Sequence, residues 1–274
     1  MTKKLAIITV NYQSYQDTEE FLQSFQEQSS MNFSIYIADL SKQKQTITNP
    51  LVSDKMTVFA ADNRGYAYGL NVGLKRAIAD GFSSFVFLNN DTVVAKDFVR
   101  NVLGSLQAHP GSLIGGKVYY YKGYEFYKDK YKKNDLGKVL WYAGGTIDWE
   151  HAITKHRGVD EADRGDYDTF EETAFVTGCL MAFDQNILDA AGFMDEGYFL
   201  YYEDADWNER IKRAGQKIYY DPTIVIWHKN AQSTGGSGSD LHRKFQERNR
   251  LKFGLKYAPW RTKAHLLKNA IMKV

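Results

Sequence analysis

A chain of 274 residues with 43% hydrophobic content can build one large folded domain or two closely joined halves, and its four prolines argue against a linker-rich or disordered protein. A single cysteine, Cys179, excludes an internal disulfide and a multi-cysteine zinc site, which fits a small buried apolar residue in a reducing, cytoplasmic setting. The net charge of +2 hides an asymmetry: from Leu241 to Val274 ten Lys or Arg stand against one acid, Glu247, a net of +9, so the remainder carries −7 and opposes a nucleic-acid partner.

In chain order, the apolar run after Met1-Thr2-Lys3-Lys4 stops at Asn11, too short for a signal peptide, and no run of 18 apolar residues follows that could span a membrane. Lys4 to Val10 is a β-branched run expected of a strand covered on both faces. Asp17 to Gln28 carries Phe21, Leu22 and Phe25 at helical spacing, and Phe33 to Asp39 is a second strand ending in a carboxylate. Thr57 to Ala60 reads as a third strand, Leu70 to Ala79 as a helix, and Phe85 to Leu88 as a fourth strand running into Asn89-Asn90-Asp91. This alternation predicts an α/β fold with a parallel sheet, which binds ligands at the carboxyl ends of its strands. Thr9 to Tyr12, Asp39 and Asn89 to Asp91 then surround one crevice.

Between the third strand and its helix, Asp62 to Gly73 is glycine-rich. Its glycines can admit a ligand to the backbone, with Asn63, Arg64 and Asn71 reaching base, ribose or phosphate, or they can serve a turn-rich helix cap. The spacing is not G-x-G-x-x-G, so an NAD-dependent enzyme is not indicated. Asn89-Asn90-Asp91-Thr92 offers hard oxygen ligands to a divalent cation that also holds a diphosphate, and Asp91 equally suits a cap for a helix near Asp97.

Gly115 to Asp168 is irregular and rich in Tyr, with Trp141 and Trp149, which suits a surface for sugars or lipid-linked acceptors. Within it, Lys122 to Lys138 reads as an exposed, mobile excursion, either a solvated loop or a lid. Phe193 to Gly215 delivers Glu203, Asp204 and Asp206 beside an aromatic run, followed by Trp207, Ile211 and Ala214 at helical spacing. Carboxylates beside large rings can have raised pKa values and do acid-base work, while Asp206 with Glu209 also has the D-x-x-E form of a capping box. Locally, both readings stand. Ser233 to Ser239 reads as a flexible joint before the basic tail, which either lies on an anionic membrane or a second copy or packs as a basic helix pair.

The ordered set of motifs resembles the inverting nucleotide-sugar glycosyltransferases of family 2, with the GT-A fold, and within them the bacterial rhamnosyltransferase-like subset that assembles surface glycans. The matching stretches are Ile7 to Tyr12, Asp39, Asn63-Arg64-Gly65 through Gly73, Leu88 to Thr92, Tyr142 to Gly145, His156-Arg157-Gly158 and Thr177-Gly178-Cys179. Tyr201 to Asp206, Tyr220-Asp221-Pro222, Trp227-His228-Lys229 and Arg248-Asn249-Arg250 complete it, so the likeness covers roughly residues 4 to 255. The resemblance implies a Rossmann-like mixed sheet of mainly parallel strands flanked by helices, with a C-terminal helical extension. It divides the chain into a GT-A domain, 1–236, with a nucleotide-sugar half (1–115) and an acceptor half (116–236), followed by a joint and basic helical tail, 237–274.

It also implies roles. Asp39 would contact the donor base, with Thr9, Asn11, Tyr12, Asn63 and Gly65 lining the nucleotide pocket. Asn89, Asn90 and Asp91 stand at the D-x-D position, Asp91 being the ligand for Mn²⁺ or Mg²⁺ and His228 completing metal or diphosphate binding. Lys229 would assist with the diphosphate charge. Asp204 would be the base and Glu203 its support, with Tyr201 and Tyr202 walling the acceptor site and Asp206 left to cap a helix. The implied partners are a UDP-hexose or dTDP-rhamnose donor and a glycan, glycoprotein or lipid-linked acceptor, at the inner face of the cell membrane. A catalytically idle sugar-nucleotide binder serving another transferase is the alternative.

Overall fold

A computed structural model describes residues 4–49, 52–229 and 240–272. The N-terminal half alternates strands and helices as the periodicity predicts: β1 (Leu5–Asn11), α1 (Tyr15–Gln23), β2 (Phe33–Asp39), β3 (Met56–Ala60), α2 (Tyr66–Ala79), β4 (Ser84–Leu88), β5 (Thr92–Val94) and α3 (Phe98–Ala108). The second half runs β6 (Ser112–Tyr120), β7 (Leu140–Tyr142), β8 (Gly145–Asp148), β9 (Ile153–His156), β10 (Glu171–Glu172), β11 (Leu180–Asp184), α4 (Gln185–Ala191), α5 (Glu203–Arg213), β12 (Lys217–His228), α6 (Asp240–Tyr257) and α7 (Trp260–Met272). The joint at Ser233 to Ser239 lies outside the described residues.

The main sheet has the order β10-β12-β6-β11-β4-β1-β2-β3, with β5 also paired to β12 and β7 to β6. β1 pairs in parallel with β2 and β4, β2 with β3, and β6 with β12. The sheet is mixed because β11 enters antiparallel between β4 and β6. Strand alternation sorts the core into two layers. Leu5, Ile7, Ile35 and Ile37 face α1 and α3, whereas Ala6, Ile8, Val10 and Ala38 face α2 and share a layer with Trp207 and Ile211 of α5.

Two helix boundaries differ from the periodicity. α1 stops at Gln23, where the Ser24 hydroxyl donates to the Phe21 carbonyl at 2.7 Å, a local bond that competes with helix propagation. α2 begins four residues earlier than expected, behind Gly65 at φ 106°. No described helix is long and apolar enough to cross a membrane.

Candidate active site

A cavity of about 790 Å³ opens where β1 and β4 end, and its wall combines Tyr12, Asn63, Gly65, Asn89, Asn90 and Asp91 with Glu203, Asp204 and His228. Residues more than 200 positions apart in sequence therefore meet in one space, as the strand-end rule requires.

His228 reaches the site because β12 pairs antiparallel with β5, which sets His228 opposite Thr92, next to Asp91. His228 Nε2 lies 3.2 Å from Asp91 Oδ1, with both side chains buried. No well-aligned hydrogen bond joins them, although the atoms are sealed from solvent; burial lowers the imidazole pKa, but Cys179 and Asp91 together outweigh it and hold the group well above its usual value. Burial pushes the Asp91 carboxyl upward, but the adjacent His228 outweighs it and the group stays below the usual carboxylate range. Among the described residues no cluster of three or more His, Cys, Asp or Glu is placed to hold a metal. A buried carboxylate oxygen facing a buried imidazole without a well-aligned bond between them nevertheless fits a divalent cation whose remaining positions are filled by oxygens of a bound ligand or water. Lys229 is not free to join them as the sequence reading proposed. Its buried ammonium sits 2.8 Å from Asp17 and 2.7 Å from Glu20 of α1, which neutralise it.

The carboxylate side is built by a strained turn. Tyr201 and Tyr202 both adopt left-handed backbone, φ 68° and 70°, and Tyr202 is the N-cap of α5. Consecutive bulky residues in that region cost energy and persist only where surrounding contacts enforce them. Here Asn249 of α6 donates to the carbonyls of Leu200 and Tyr201 at 2.8 and 2.9 Å, and the Tyr202 hydroxyl donates to the Ala152 carbonyl at 3.1 Å. The turn delivers Glu203 and Asp204 to the first turn of α5, facing the cavity.

Asp204 Oδ2 accepts the Gly178 amide at 2.8 Å and Oδ1 the Ala205 amide at 2.7 Å, bonds that favour its ionised form. Burial outweighs them and raises its pKa. Glu203 is 6% exposed, its Oε2 has no partner, and burial reinforced by the Asp204 charge pushes its pKa up to about 8. Both carboxyls are raised, Glu203 far enough to hold a proton at neutral pH, and the two amide bonds make Asp204 the member suited to carry the charge.

Thr9, Asn11 and Asp39 do not line the cavity. They sit behind its wall, where Asn11 Nδ2 and the Tyr15 hydroxyl each donate to Asp39 at 2.9 Å. Burial raises the Asp39 carboxyl, but these bonds and those from Ser41 hold it below the usual range. Asn90 bonds to the Thr18 hydroxyl at 2.8 Å and ties this knot to the β4 end.

Other sequence expectations are corrected. Asp206 caps nothing: it is fully buried in α5 and accepts from Arg210 at 2.9 Å, Lys256 at 2.6 Å and the Tyr257 hydroxyl at 2.9 Å, docking α6 onto α5. Asp91 is likewise no cap, since the N-cap of α3 is Asp97. The excursion from Lys122 to Lys138 is anchored: the Trp227 indole donates to the Gly137 carbonyl at 2.8 Å and the Tyr131 hydroxyl to the Asp160 carbonyl at 2.9 Å, while buried Glu125 accepts the amides of Gly123 and Gly137 and closes the loop on itself. Its Phe126 reaches the cavity.

Tyr66 received no role from sequence, yet its hydroxyl donates to Asn89 Oδ1 at 2.6 Å and orients that carboxamide. His156, also in the wall, is half-buried, and desolvation pushes it down to about 4, so it is a neutral imidazole; Trp141 packs edge-on against both it and His228. The aromatic density of residues 115–168 was the available signal, but it could not single out these rings.

Rv1525 of Mycobacterium tuberculosis is 24% identical over 182 residues, covering 65% of this chain and 59% of its own length. The low-salt glycan biosynthesis hexosyltransferase Agl10 of Haloferax volcanii is 22% identical over 219 residues, covering 80% of this chain and 64% of its own. The chain thus spans about three fifths of these relatives. Among solved structures, GalNAc-T7 with UDP, GalNAc and Mn²⁺ superposes with a TM-score of 0.67 at 13% identity, over 93% of this chain and 48% of that one. The architecture, a mixed sheet flanked by helices with further helices at the C-terminal side, is the GT-A fold. The family model "Glycosyl transferase family 2" matches residues 6–192, more than half of the 274, and the chain belongs to that family.

Proposed function

We propose that the protein transfers a sugar, with inversion, from a nucleotide-diphosphate donor such as a UDP-hexose or dTDP-rhamnose to a hydroxyl of a glycan, glycoprotein or lipid-linked acceptor. One observation carries this reading: a single cavity is lined at once by the Asp91–His228 pair and by the Glu203–Asp204 pair. Asp204 takes the proton of the acceptor hydroxyl as that oxygen bonds to the anomeric carbon and the bond to the diphosphate oxygen breaks. Its raised pKa makes it a stronger base than a solvated carboxylate, and the Gly178 and Ala205 amides fix its direction. Glu203, protonated at neutral pH, is available to donate a hydrogen bond to a bound substrate and adds no second charge to a cavity that must accept an anionic donor.

Mn²⁺ or Mg²⁺ held by Asp91 and His228, with Asn89 beside them, would supply neutralisation of the charge that develops on the departing diphosphate. GalNAc-T7, of the same fold, is bound to UDP and Mn²⁺, which supports this choice of ligands. Tyr12, Asn63 and Gly65 form the donor wall, and Asp39 with Asn11 holds that wall from behind.

Nucleotide release from UDP-glucose, UDP-galactose, UDP-N-acetylglucosamine and dTDP-rhamnose, with Mn²⁺ or EDTA and acceptor extract, tests the proposal. One donor is expected to turn over, with EDTA abolishing release and Asp204→Asn lowering kcat by roughly 100-fold or more. Donor binding without turnover in every case, extract included, would mark an idle sugar-nucleotide binder.

A further inference from the structure

Helix α7 packs through one face and leaves the opposite face bare. Thr262 and Leu266 are buried: the Thr262 hydroxyl donates to the Trp149 carbonyl at 2.8 Å, and Leu266 nests against Gly254 of α6, where a Cβ would meet Leu266 Cδ1 at 2.2 Å. These contacts fix which side looks outward. On that side stand Trp260, Ala264, Leu267 and Ile271, at i, i+4, i+7 and i+11, joined by Met272. Trp260 is 73% exposed, Leu267 47%, Ile271 74% and Met272 74%. An apolar stripe of this size on a helix that already has a buried face calls for a covering partner.

The charge around the stripe selects the partner. From Ala258 to Met272 the chain contains Arg261, Lys263 and Lys268 and no acid. A symmetric pairing of two copies through this face would set cations against cations with no carboxylate between them. An anionic bilayer reverses that balance: each cation is attracted to lipid headgroups while Leu267, Ile271 and Met272 enter the acyl boundary and Trp260 rests at the interface. We propose that α7 is an interfacial helix that docks this protein on anionic phospholipid membranes. The consequence for the active site is geometric. α7 rests on Trp149 and on Gly254 of α6, Gly254 abuts Ala152, and the Ala152 carbonyl accepts the hydroxyl of Tyr202 in the cavity wall, so the docking helix connects to the cavity through α6 and Ala152.

Co-sedimentation of the full chain with phosphatidylcholine vesicles, and with vesicles containing about a third phosphatidylglycerol, tests the assignment at low and high salt. Wild type is expected to bind the anionic vesicles at least about tenfold more tightly than the neutral ones, and salt is expected to weaken the binding. Leu267→Glu with Ile271→Glu is expected to abolish it while leaving the thermal midpoint and the nucleotide release of the soluble protein unchanged. A second variant, Arg261→Glu with Lys268→Glu, is expected to lose binding through charge alone. Three results would overturn the proposal: wild type that ignores anionic vesicles, vesicle binding that survives both variants, or a dimer seen by sedimentation equilibrium that the Leu267 and Ile271 changes dissolve without any vesicle binding. Because the readout is partition rather than turnover, the outcome is independent of the transferase assignment.

Discussion

At the scale of single residues, Glu203 is the group whose environment makes the sharpest demand. Its Oε2 is buried without a partner, and its pKa of about 8 stands well above the 4.5 of a solvated glutamate. Between those two values the unfolded chain has lost the proton that the folded protein keeps. The stability contribution is therefore complete below pH 4.5, declines as pH rises between the two values, and is gone above about pH 8. Glu203→Gln keeps the neutral, donating form and removes that slope. Its melting temperature should gain on wild type as pH rises from 5 to 8, as thermal melts across that range would reveal. The kinetic sign is the same: wild type should lose kcat/KM above about pH 8, when a second carboxylate charge appears beside the base, and the variant should not. The acid limb belongs to Asp204 and should be common to both. The sequence showed that these carboxylates sit beside rings, but not that Asp206, two residues on, faces Lys256 and Tyr257 instead of the cavity. That difference depends on α6, whose position no local pattern encodes.

At the scale of elements, the contact between α2 and β1 sets how closely the Asn63–Gly65 side of the cavity approaches the sheet. Gly69 and Gly73 lie one turn apart on the face of α2 that meets β1. A Cβ at Gly69 would come within 2.7 Å of Val10 Cγ2, and one at Gly73 within 2.6 Å of Ile8 Cγ2. Both neighbours are β-branched and buried, so they cannot swing away. These glycines serve helix-sheet packing, not ligand access; Gly65, with left-handed backbone and a Phe199 carbonyl where its Cβ would be, is the one in the cavity wall. Sequence alone could not separate them, because Ile8 and Val10 lie some 60 residues away. Gly73→Ala is expected to destabilise by about 1–3 kcal/mol through overpacking, despite alanine's better helix propensity. Gly104, mid-helix in α3 with nothing within 4 Å of its absent Cβ, is the control, and Gly104→Ala should stabilise by up to about 1 kcal/mol. Urea unfolding of the two variants would separate packing from propensity. Movement of both midpoints in the same direction would contradict the packing argument.

At the scale of the molecule, the N-terminal strands and the crevice at their ends were legible because each buried strand is a continuous apolar run closed by polar residues. The antiparallel entry of β11 was not, since a short apolar run such as Leu180 to Phe183 has no direction in its composition. Nor was the integration of α6, which charge counting had grouped with a tail. Phe253 of α6 is fully buried, Lys256 neutralises Asp206 while the Tyr257 hydroxyl donates to it, and Asn249 clamps the backbone of the turn that leads into Glu203 and Asp204. A helix more than 40 residues downstream thus holds Tyr201 and Tyr202 in a conformation they would not otherwise keep. Asn249→Ala removes both bonds, at a cost of about 1–3 kcal/mol, and frees the turn to relax. Relaxation by an ångström misdirects Asp204 without touching the donor wall, so kcat should fall by about 10- to 100-fold while donor affinity and the Asp91–His228 pair are unaffected. Steady-state kinetics paired with donor titration would distinguish this from unfolding. Equal losses in kcat and donor binding would show that Asn249 supports the whole cavity, whereas unchanged kcat would show that the turn holds its shape without α6.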